Sequence, residues 1–168
     1  NSANGLVELI TSLLDLRKIE EGKMDYQFTR ADVSELTRGV IDELQLLASS
    51  KKLELSLQGA DHPVWVQADP PKLKQVILNL VDNAIKYTPA GSVKVAMSTD
   101  DRHVTITVTD TGLGMAPTLL PRLFDEFTRD QRVQRTIRGT GLGLYIAKRI
   151  IEAHGGQVSA MSPGEGLG

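Results

Sequence analysis

An α/β or α+β domain with a mostly antiparallel sheet is the fold class that the sequence predicts. Stretches with helical periodicity and cap residues are interspersed with short runs of alternating apolar and polar residues, and a tight turn joins two of those runs. The chain has 168 residues, which suits a domain of ordinary size that buries its own hydrophobic core.

The composition excludes several classes of function. A formal net charge of -2 argues against a nucleic-acid coat or a polybasic membrane patch, and 4% aromatic residues are too few for base-stacking platforms. The absence of cysteine excludes disulfides, thiolate catalysis and cysteine metal sites. No apolar run approaches the ~18 residues of a membrane span, and the chain does not start like a signal peptide. We expect a soluble domain of a reducing compartment, with no nucleic-acid partner and no membrane contact.

Residues 1–24 differ in character from the rest of the chain. Four leucines follow the 3-4-3 spacing of a coiled-coil or bundle seam: Leu6, Leu9, Leu13 and Leu16. Gly22 fits a helix stop. An ordinary amphipathic helix of the same domain is one interpretation. The end of a longer bundle helix is the favoured one, because two heptads alone bury little surface.

Three further helices are predicted from periodicity and caps, over residues 33–50, 70–87 and 144–154. Asp32 or Ser34 caps the first of them. Asp69 caps the second, which has two prolines just inside its start and ends before Pro89. Two glycines follow the third.

Alternation predicts six strands, over residues 26–28, 53–57, 64–68, 92–97, 103–108 and 157–161. A turn at residues 99–101 joins the fourth strand to the fifth. Residues 110–143 are rich in glycine and charge and lack helical or strand periodicity.

Polar side chains share one face of the helix at 70–87. Asn79, Asn83 and Lys86 are spaced i, i+4, i+7. A solvated face explains the lysine, but two asparagines lower helix propensity. An amide oxygen suits Mg²⁺ that bridges substrate phosphates, and a lysine supplies a phosphate counter-charge. Spacing alone leaves both interpretations open.

A glycine-containing segment, Asp110-Thr111-Gly112-Leu113-Gly114, directly follows a predicted strand. Its two glycines permit close approach of a flat ligand or phosphate. A carboxylate at the end of a strand can accept a hydrogen bond from an amino group such as that of adenine. An ordinary turn rich in Asp and Gly remains the alternative.

A second glycine-rich segment, residues 139–144, opens the last predicted helix. Backbone amides at a helix N-terminus are suited to binding phosphate, so a functional interpretation is favoured here. The segment is neither a P-loop nor a Rossmann fingerprint, since GxxxxGK[ST] is absent and the third glycine comes one position early for GxGxxG.

Taken in order, these motifs resemble the ATP-binding domain of sensor histidine kinases, of a superfamily shared with DNA gyrase, the MutL repair ATPase and a heat-shock chaperone. The matching segments are an N box at 78–89, a first glycine box at 110–114, an F box at 123–127 and a second glycine box at 139–144. The resemblance implies a two-layer sandwich of the Bergerat type, with helices on one face of a mixed, mostly antiparallel sheet. ATP would lie between helices under a mobile lid at about 113–138.

The resemblance also implies roles for single residues. Asn83 would ligate Mg²⁺, Asp110 would bind the adenine amino group, and Asn79 and Arg129 would be catalytic. The full set implied to bind the nucleotide is Asn79, Asn83, Lys86, Tyr87, Asp110, Gly112, Gly114, Phe124, Arg129, Arg138, Gly139, Thr140, Gly141, Leu142, Gly143 and Leu144. Arg138 stands where many relatives have an extra glycine.

One position favours phosphotransfer over hydrolysis. In the hydrolytic relatives a glutamate four residues before the metal-binding asparagine acts as base toward water, and here that position is Asn79. An amide cannot take a proton at neutral pH. A histidine acceptor is already a nucleophile and needs mainly to be positioned.

The resemblance implies a domain division and partners. Residues 1–24 would be the C-terminal part of a dimerisation and phosphoacceptor hairpin helix, and 25–168 the catalytic ATP-binding domain with its final strand truncated. None of His62, His103 and His154 has the acceptor context, so this chain would not phosphorylate itself. Its partners would be the hairpin of the same kinase, in a homodimer, and a response regulator. The domain would be cytoplasmic, in a protein that can be anchored in the inner membrane.

Two alternatives share part of this pattern. A serine kinase of the anti-sigma type has the same fold, but the leading bundle helix argues against it. The second alternative is a module that only binds ATP. Against it, all the nucleotide-binding residues expected of an active domain are present.

Overall fold

The computed structural model describes residues 2–130, 137 and 139–168. In chain order its elements are α1 (Ser2–Glu20), β1 (Thr29–Asp32), α2 (Val33–Ser50), β2 (Glu54–Gln58), β3 (Trp65–Ala68), α3 (Pro70–Tyr87), β4 (Ser92–Thr99), β5 (Val104–Asp110), a short 3-10 helix (Leu120–Arg122) and α4 (Gly143–Ala153). Among the described residues, no helix has both the length and the apolar character that crossing a bilayer requires.

The strands form two sheets. β1 pairs with β3 in an antiparallel ribbon. The larger sheet has the order β2-β4-β5, in which β2 and β4 are parallel while β4 and β5 are antiparallel. Along β4, Val93, Val95 and Met97 are buried and their neighbours are more exposed, so one face of this sheet is covered by α2 and α3. The predicted α/β class with a mixed, mostly antiparallel sheet is confirmed.

Aspartate caps start the two helices that cover the sheet. Asp32 Oδ1 accepts from Ser34 N at 2.9 Å, and Asp69 Oδ1 accepts from Lys72 N at 3.0 Å. The main core lies beneath these helices, and its fully buried side chains on them are Val40, Ala48, Val81 and Ile85. The predicted aspartate caps are therefore confirmed.

The last turns of α1 pack on the domain, whereas leucines in its earlier turns are exposed. Leu16 is buried in a second cluster with Val76 of α3 and Leu142 beside α4. By contrast, Leu6 and Leu13 of the predicted seam are 58% and 42% exposed. The assignment of residues 1–24 to a bundle hairpin stays a prediction.

Two predicted strands are wrong. Residues 26–28 are not a strand, because Tyr26 and Phe28 stack their rings on His154 and the pairing with β3 begins only at Thr29. Residues 157–161 are also not a strand, because in the described part of the chain they form no ladder with a neighbouring strand. The turn between β4 and β5 is confirmed: Asp100 Oδ1 accepts from the amides of Arg102 and His103, both at 2.8 Å.

Candidate nucleotide site

The polar face of α3 is tied to the start of α4 through Asn79. Its Nδ2 donates to the carbonyl oxygen of Gly143 at 3.2 Å. A Cβ added at Gly143 would lie 2.5 Å from Asn79 Oδ1, so a side chain here would displace the Asn79 amide. The N box and the second glycine box are thus in direct contact.

Asn83 and Lys86 lie farther along α3. Asn83 follows Asn79 by one turn and is partly exposed. The Lys86 ammonium pairs with Asp82 Oδ2 at 2.6 Å, and both side chains are partly exposed. Sequence reasoning missed Asp82, although its i, i+4 spacing to Lys86 was the signal for this pair.

The first glycine box packs against the C-terminal end of α3. The Leu113 amide donates to the Tyr87 carbonyl oxygen at 3.1 Å, and the Gly112 amide donates to Asp110 Oδ1 at 2.9 Å. A Cβ at Gly112 would lie 2.4 Å from Tyr87 O and 2.7 Å from Asp110 Oδ1. The structure therefore brings Asp110, Gly112 and Tyr87 together, and this backbone contact fixes one edge of the site.

The C-terminal segment closes over the first glycine box, a contact that sequence reasoning missed. Gly114 has φ +58°, and a Cβ there would lie 2.0 Å from Gly164 O. The Gly166 amide donates to Leu113 O at 2.6 Å, and the Met115 amide donates to Ser162 Oγ at 3.0 Å. Residues 162–168 therefore form a wall of this part of the site.

The second glycine box forms a tight turn into α4. The Leu142 amide donates to Thr140 Oγ1 at 3.1 Å, and the Leu142 side chain is fully buried. Gly141 has φ +75°, and a Cβ there would lie 2.9 Å from Phe127 C. Gly139 is exposed, and Leu144 is partly buried in the first turn of α4. Among the described side chains none caps α4, which leaves its first amides without a side-chain acceptor.

The F box contacts the second glycine box. The site that a Cβ of Gly141 would occupy is 3.1 Å from Arg129 Cγ, and the Arg129 guanidinium donates to Ile137 O. Phe124 is partly buried. A cleft of about 570 Å³ lies here, lined by Ala116, Thr118, Leu119, Arg122, Glu126, Phe127, Thr128, Arg129, Asp130 and Glu165. No residue of α3 lines this cleft. Arg138 and residues 131–136 of the predicted lid lie outside the described residues.

Burial and a carboxylate act together on Tyr145 at the start of α4. Burial raises the pKa of the Tyr145 phenol, and a hydrogen bond to Glu126 of the F box raises this pKa further. This pair is a second connection between the F box and α4.

The metal-ligating side chains of α3 would fit a magnesium ion that takes most of its ligands from other molecules. Within the described ranges, no group of three or more His, Cys, Asp or Glu residues could hold a metal by itself. The Asn83 amide supplies a single neutral oxygen ligand. That chemistry suits Mg²⁺ that takes its other ligands from phosphates and water.

Among the histidines, His154 at the end of α4 has extensive contacts within the fold. His154 Nε2 accepts from the Asp69 amide at 2.9 Å, and its Nδ1 lies 2.7 Å from Ile150 O. His103 is exposed beside Asp100, and the carbonyl oxygen of His62 accepts from Ser34 Oγ at 2.6 Å.

Known proteins match both the sequence and the fold. A family profile described as histidine kinase-, DNA gyrase B-, and HSP90-like ATPase matches residues 68–167. Sensor histidine kinase GacS of Pseudomonas protegens is 38% identical over 173 residues, which cover 98% of this chain and 19% of that protein. Histidine kinase AdeS of Acinetobacter baumannii has a TM-score of 0.79 at 25% identity, over 98% of this chain and 76% of that chain. Full-length ShkA in complex with AMPPNP has a TM-score of 0.78 at 29% identity, over 96% of this chain and 35% of that chain.

The fold and the paired glycine boxes define an ATP-binding domain of the kind that histidine kinases contain. The chain belongs to the histidine kinase-, DNA gyrase B-, and HSP90-like ATPase family, and the predicted resemblance is confirmed. It spans 19% of the length of the first curated relatives that it matches.

Proposed function

We propose that this chain is the catalytic ATP-binding domain of a two-component sensor histidine kinase. One observation carries the proposal: α3 contacts both glycine boxes, through Asn79 at Gly143 and through Tyr87 at Leu113. These two contacts are eight residues apart on one helix, about 12 Å along its axis. A nucleoside triphosphate bound along this helix has its base at one box and its phosphates at the other.

Residue types at each end of the helix match the two ends of ATP. Asp110 receives the adenine amino group at the first box, where Gly112 and Gly114 let the backbone pack closely at the edge of the base. At the second box the amides of Gly141, Leu142 and Gly143 face the phosphates, joined by Arg129 and Lys86, with Tyr87 near the ribose. The further phosphate-side residues proposed are Phe124, Arg138, Gly139, Thr140 and Leu144. Asn83 holds Mg²⁺, which neutralises phosphate charge.

The chemistry of Asn79 supports phosphotransfer over hydrolysis. Its amide nitrogen donates to a main-chain carbonyl and offers no basic site that could activate water. In the transfer, a nitrogen of the acceptor imidazole bonds to the γ-phosphorus while the bond from that phosphorus to the β,γ-bridging oxygen breaks. ADP leaves and the imidazole proton passes to solvent. A positioned histidine needs no base stronger than water for this step.

The acceptor histidine is proposed to lie on a dimerisation hairpin of the same kinase, and a response-regulator aspartate receives the phosphoryl group next. Exposed leucines of α1 support the hairpin assignment of residues 1–24, because Leu6 and Leu13 offer an apolar seam to a partner helix. This arrangement implies a homodimer and a cytoplasmic position for the domain, while Mg²⁺ and ATP are its cofactors.

Titration with MgATP tests the pocket directly. We expect Asn83→Ala and Asp110→Asn each to lose most of the binding, because each removes a proposed ligand contact. Asp101→Asn is the matched control, since it makes the same change in the exposed turn between β4 and β5. Unchanged affinity in both site variants would exclude this pocket.

A second assay tests the reaction. The chain is mixed with a separate hairpin fragment that bears the acceptor histidine, together with MgATP. Acid-labile phosphate on the fragment is the expected product. Acid-stable phosphoserine would instead favour the serine kinase, and phosphate released to water without a phosphoprotein would favour hydrolysis.

A further inference from the structure

The C-terminal end of α3 carries carbonyl groups that the helix cannot satisfy itself. A helix leaves its last four carbonyls without partners of its own. Ala84 O accepts from Thr88 Oγ1 at 2.7 Å, and Tyr87 O accepts from the Leu113 amide at 3.1 Å. Ile85 lies between these two, so its carbonyl needs a donor from elsewhere.

Proline removes the normal donor for this carbonyl. The α-helical partner of Ile85 O would be the amide of residue 89, but Pro89 has no amide hydrogen. The chain also leaves the helix at Thr88, whose φ of -103° and ψ of 106° are extended. A further helical turn therefore cannot supply a hydrogen-bond donor to Ile85 O.

Lys51 supplies the missing donor from a different part of the chain. Its ammonium donates to Ile85 O and also to Lys86 O, the latter at 3.3 Å. Lys51 follows α2 directly, so its side chain crosses from the turn between α2 and β2 to the end of α3. A cation at the C-terminal end of a helix also has a favourable interaction with the helix dipole.

We propose that Lys51 is a positioning residue for the nucleotide site. By holding Ile85 O and Lys86 O it fixes the last turn of α3, and this turn presents Tyr87 O to Leu113. The same carbonyl bounds the space at Gly112, beside the Asp110 carboxylate. Lys51 thus acts on the base end of the site through the helix end, without touching the ligand. The inference rests on the proposed function, because it assigns the purpose of this contact to nucleotide binding.

The electrostatic surroundings agree with a partly buried structural cation. Burial lowers the pKa of Lys51, while the charge of Asp82 on α3 acts in the opposite direction. A neutral amine would still donate, so the donor geometry is the essential property. An arginine keeps both charge and donors, whereas methionine keeps only the apolar stem.

The test compares Lys51→Met with Lys52→Met. The control removes the same charge from the next residue, which is exposed. We expect Lys51→Met to raise the Kd for MgATP about tenfold, since two carbonyls lose their donor. Lys52→Met should leave the Kd unchanged, and Lys51→Arg should restore most of the affinity. All variants are titrated well below their own unfolding midpoints, which removes global unfolding as a cause.

Amide exchange distinguishes positioning from a general loss of stability. In Lys51→Met the Leu113 amide should exchange faster than in the parent chain, while the amides of β4 should keep their protection. If Lys51→Met does not fold, Lys51→Gln replaces it in both measurements. This change is smaller, and its amide is a donor of shorter reach. Unchanged affinity and unchanged exchange at Leu113 would overturn the inference. If the parent chain itself binds no MgATP, it is the proposed function that fails.

Discussion

A side chain added at the different glycines of the second box would meet very different surroundings. At Gly143 a Cβ would lie 2.5 Å from Asn79 Oδ1, whereas at Gly139 it would meet nothing within 4 Å. Two glycines only four residues apart therefore have different functions. Gly143 permits contact between helices, and Gly139 lies in an open segment.

Gly143→Ala should consequently weaken both stability and nucleotide binding. Alanine favours a helix over glycine by about 1 kcal/mol, but here the added methyl group displaces the Asn79 amide from its contact with α4. We expect a net loss of ~1–3 kcal/mol in the free energy of unfolding, the usual range for overpacking. Urea denaturation and MgATP titration measure the two effects. Gly39→Ala is the control, because a Cβ at this exposed position of α2 would meet nothing within 4 Å. Equal behaviour of the two variants would contradict the close contact.

Single residues differ in how far the sequence reveals them. Asp110, Gly112 and the asparagines were predictable, because each lies in a short motif whose spacing has a chemical meaning. Lys51 was not predictable, since its partner Ile85 is 34 residues away and only the folded chain brings them together. The wrong strand at residues 26–28 has a similar cause: stacking on His154 from the far end of the chain replaces strand pairing.

Between elements, α1 is joined to α3 by a partly buried ion pair. The Asp15 carboxylate accepts from Lys72 Nζ at 3.1 Å and from Gln75 Nε2 at 2.9 Å, and the Asp15 residue is 7% exposed. At the end of the same helix, Arg17 forms an ion pair at 2.9 Å with Glu21, which directly follows the last helical residue, and their side chains are 76% and 36% exposed. These two ion pairs therefore allow a partly buried pair to be compared with an exposed one.

A double-mutant cycle on each pair should give different coupling energies. For Asp15→Ala with Lys72→Ala we expect ~1–3 kcal/mol in the free energy of unfolding, because either single change leaves a charged group poorly solvated. For Arg17→Ala with Glu21→Ala we expect about 0–0.5 kcal/mol, as for exposed i, i+4 pairs. Both energies come from urea denaturation. Equal coupling in the two cycles would show that Asp15 does not fasten α1 to the domain.

The connection between the F box and α4 predicts a pH dependence. The pKa of Tyr145 is raised in the folded chain, so its stabilising contribution is complete below the unfolded pKa of about 10 and is lost as pH rises through the folded value. The difference in unfolding free energy between the parent and Tyr145→Phe should therefore be constant up to about pH 10 and then fall. Denaturation at a series of pH values measures it. A difference that grows above pH 10 would contradict the raised pKa.

At the scale of the whole molecule, two apolar clusters meet at α3. The main cluster joins α2, α3 and the larger sheet, while the second joins α3, α4 and the end of α1. Because α3 belongs to both and also contacts both glycine boxes, the site lies on the element that holds the domain together. The helices, their caps and the order of the motifs were predictable from local pattern. The closure of residues 162–168 over the first box was not, since it depends on pairing between distant backbone groups.

Binding at such a site should stabilise the entire domain. A ligand that binds only the folded chain adds RT ln(1 + [L]/Kd), about 2.7 kcal/mol at a hundredfold excess over Kd, and the unfolding midpoint rises accordingly. We expect MgATP to raise the midpoint strongly and ATP with EDTA to raise it much less, because phosphate charge then lacks its counter-ion. In Asn83→Ala the midpoint with MgATP should be close to the midpoint with ATP and EDTA, since the proposed protein ligand of Mg²⁺ is gone. Thermal denaturation followed by circular dichroism measures the midpoints of the parent and of Asn83→Ala, each with MgATP and with ATP and EDTA. A large Mg²⁺-dependent shift that survives in Asn83→Ala would place the metal on other residues, whereas equal shifts with and without EDTA in the parent would show that ATP binds here without the ion.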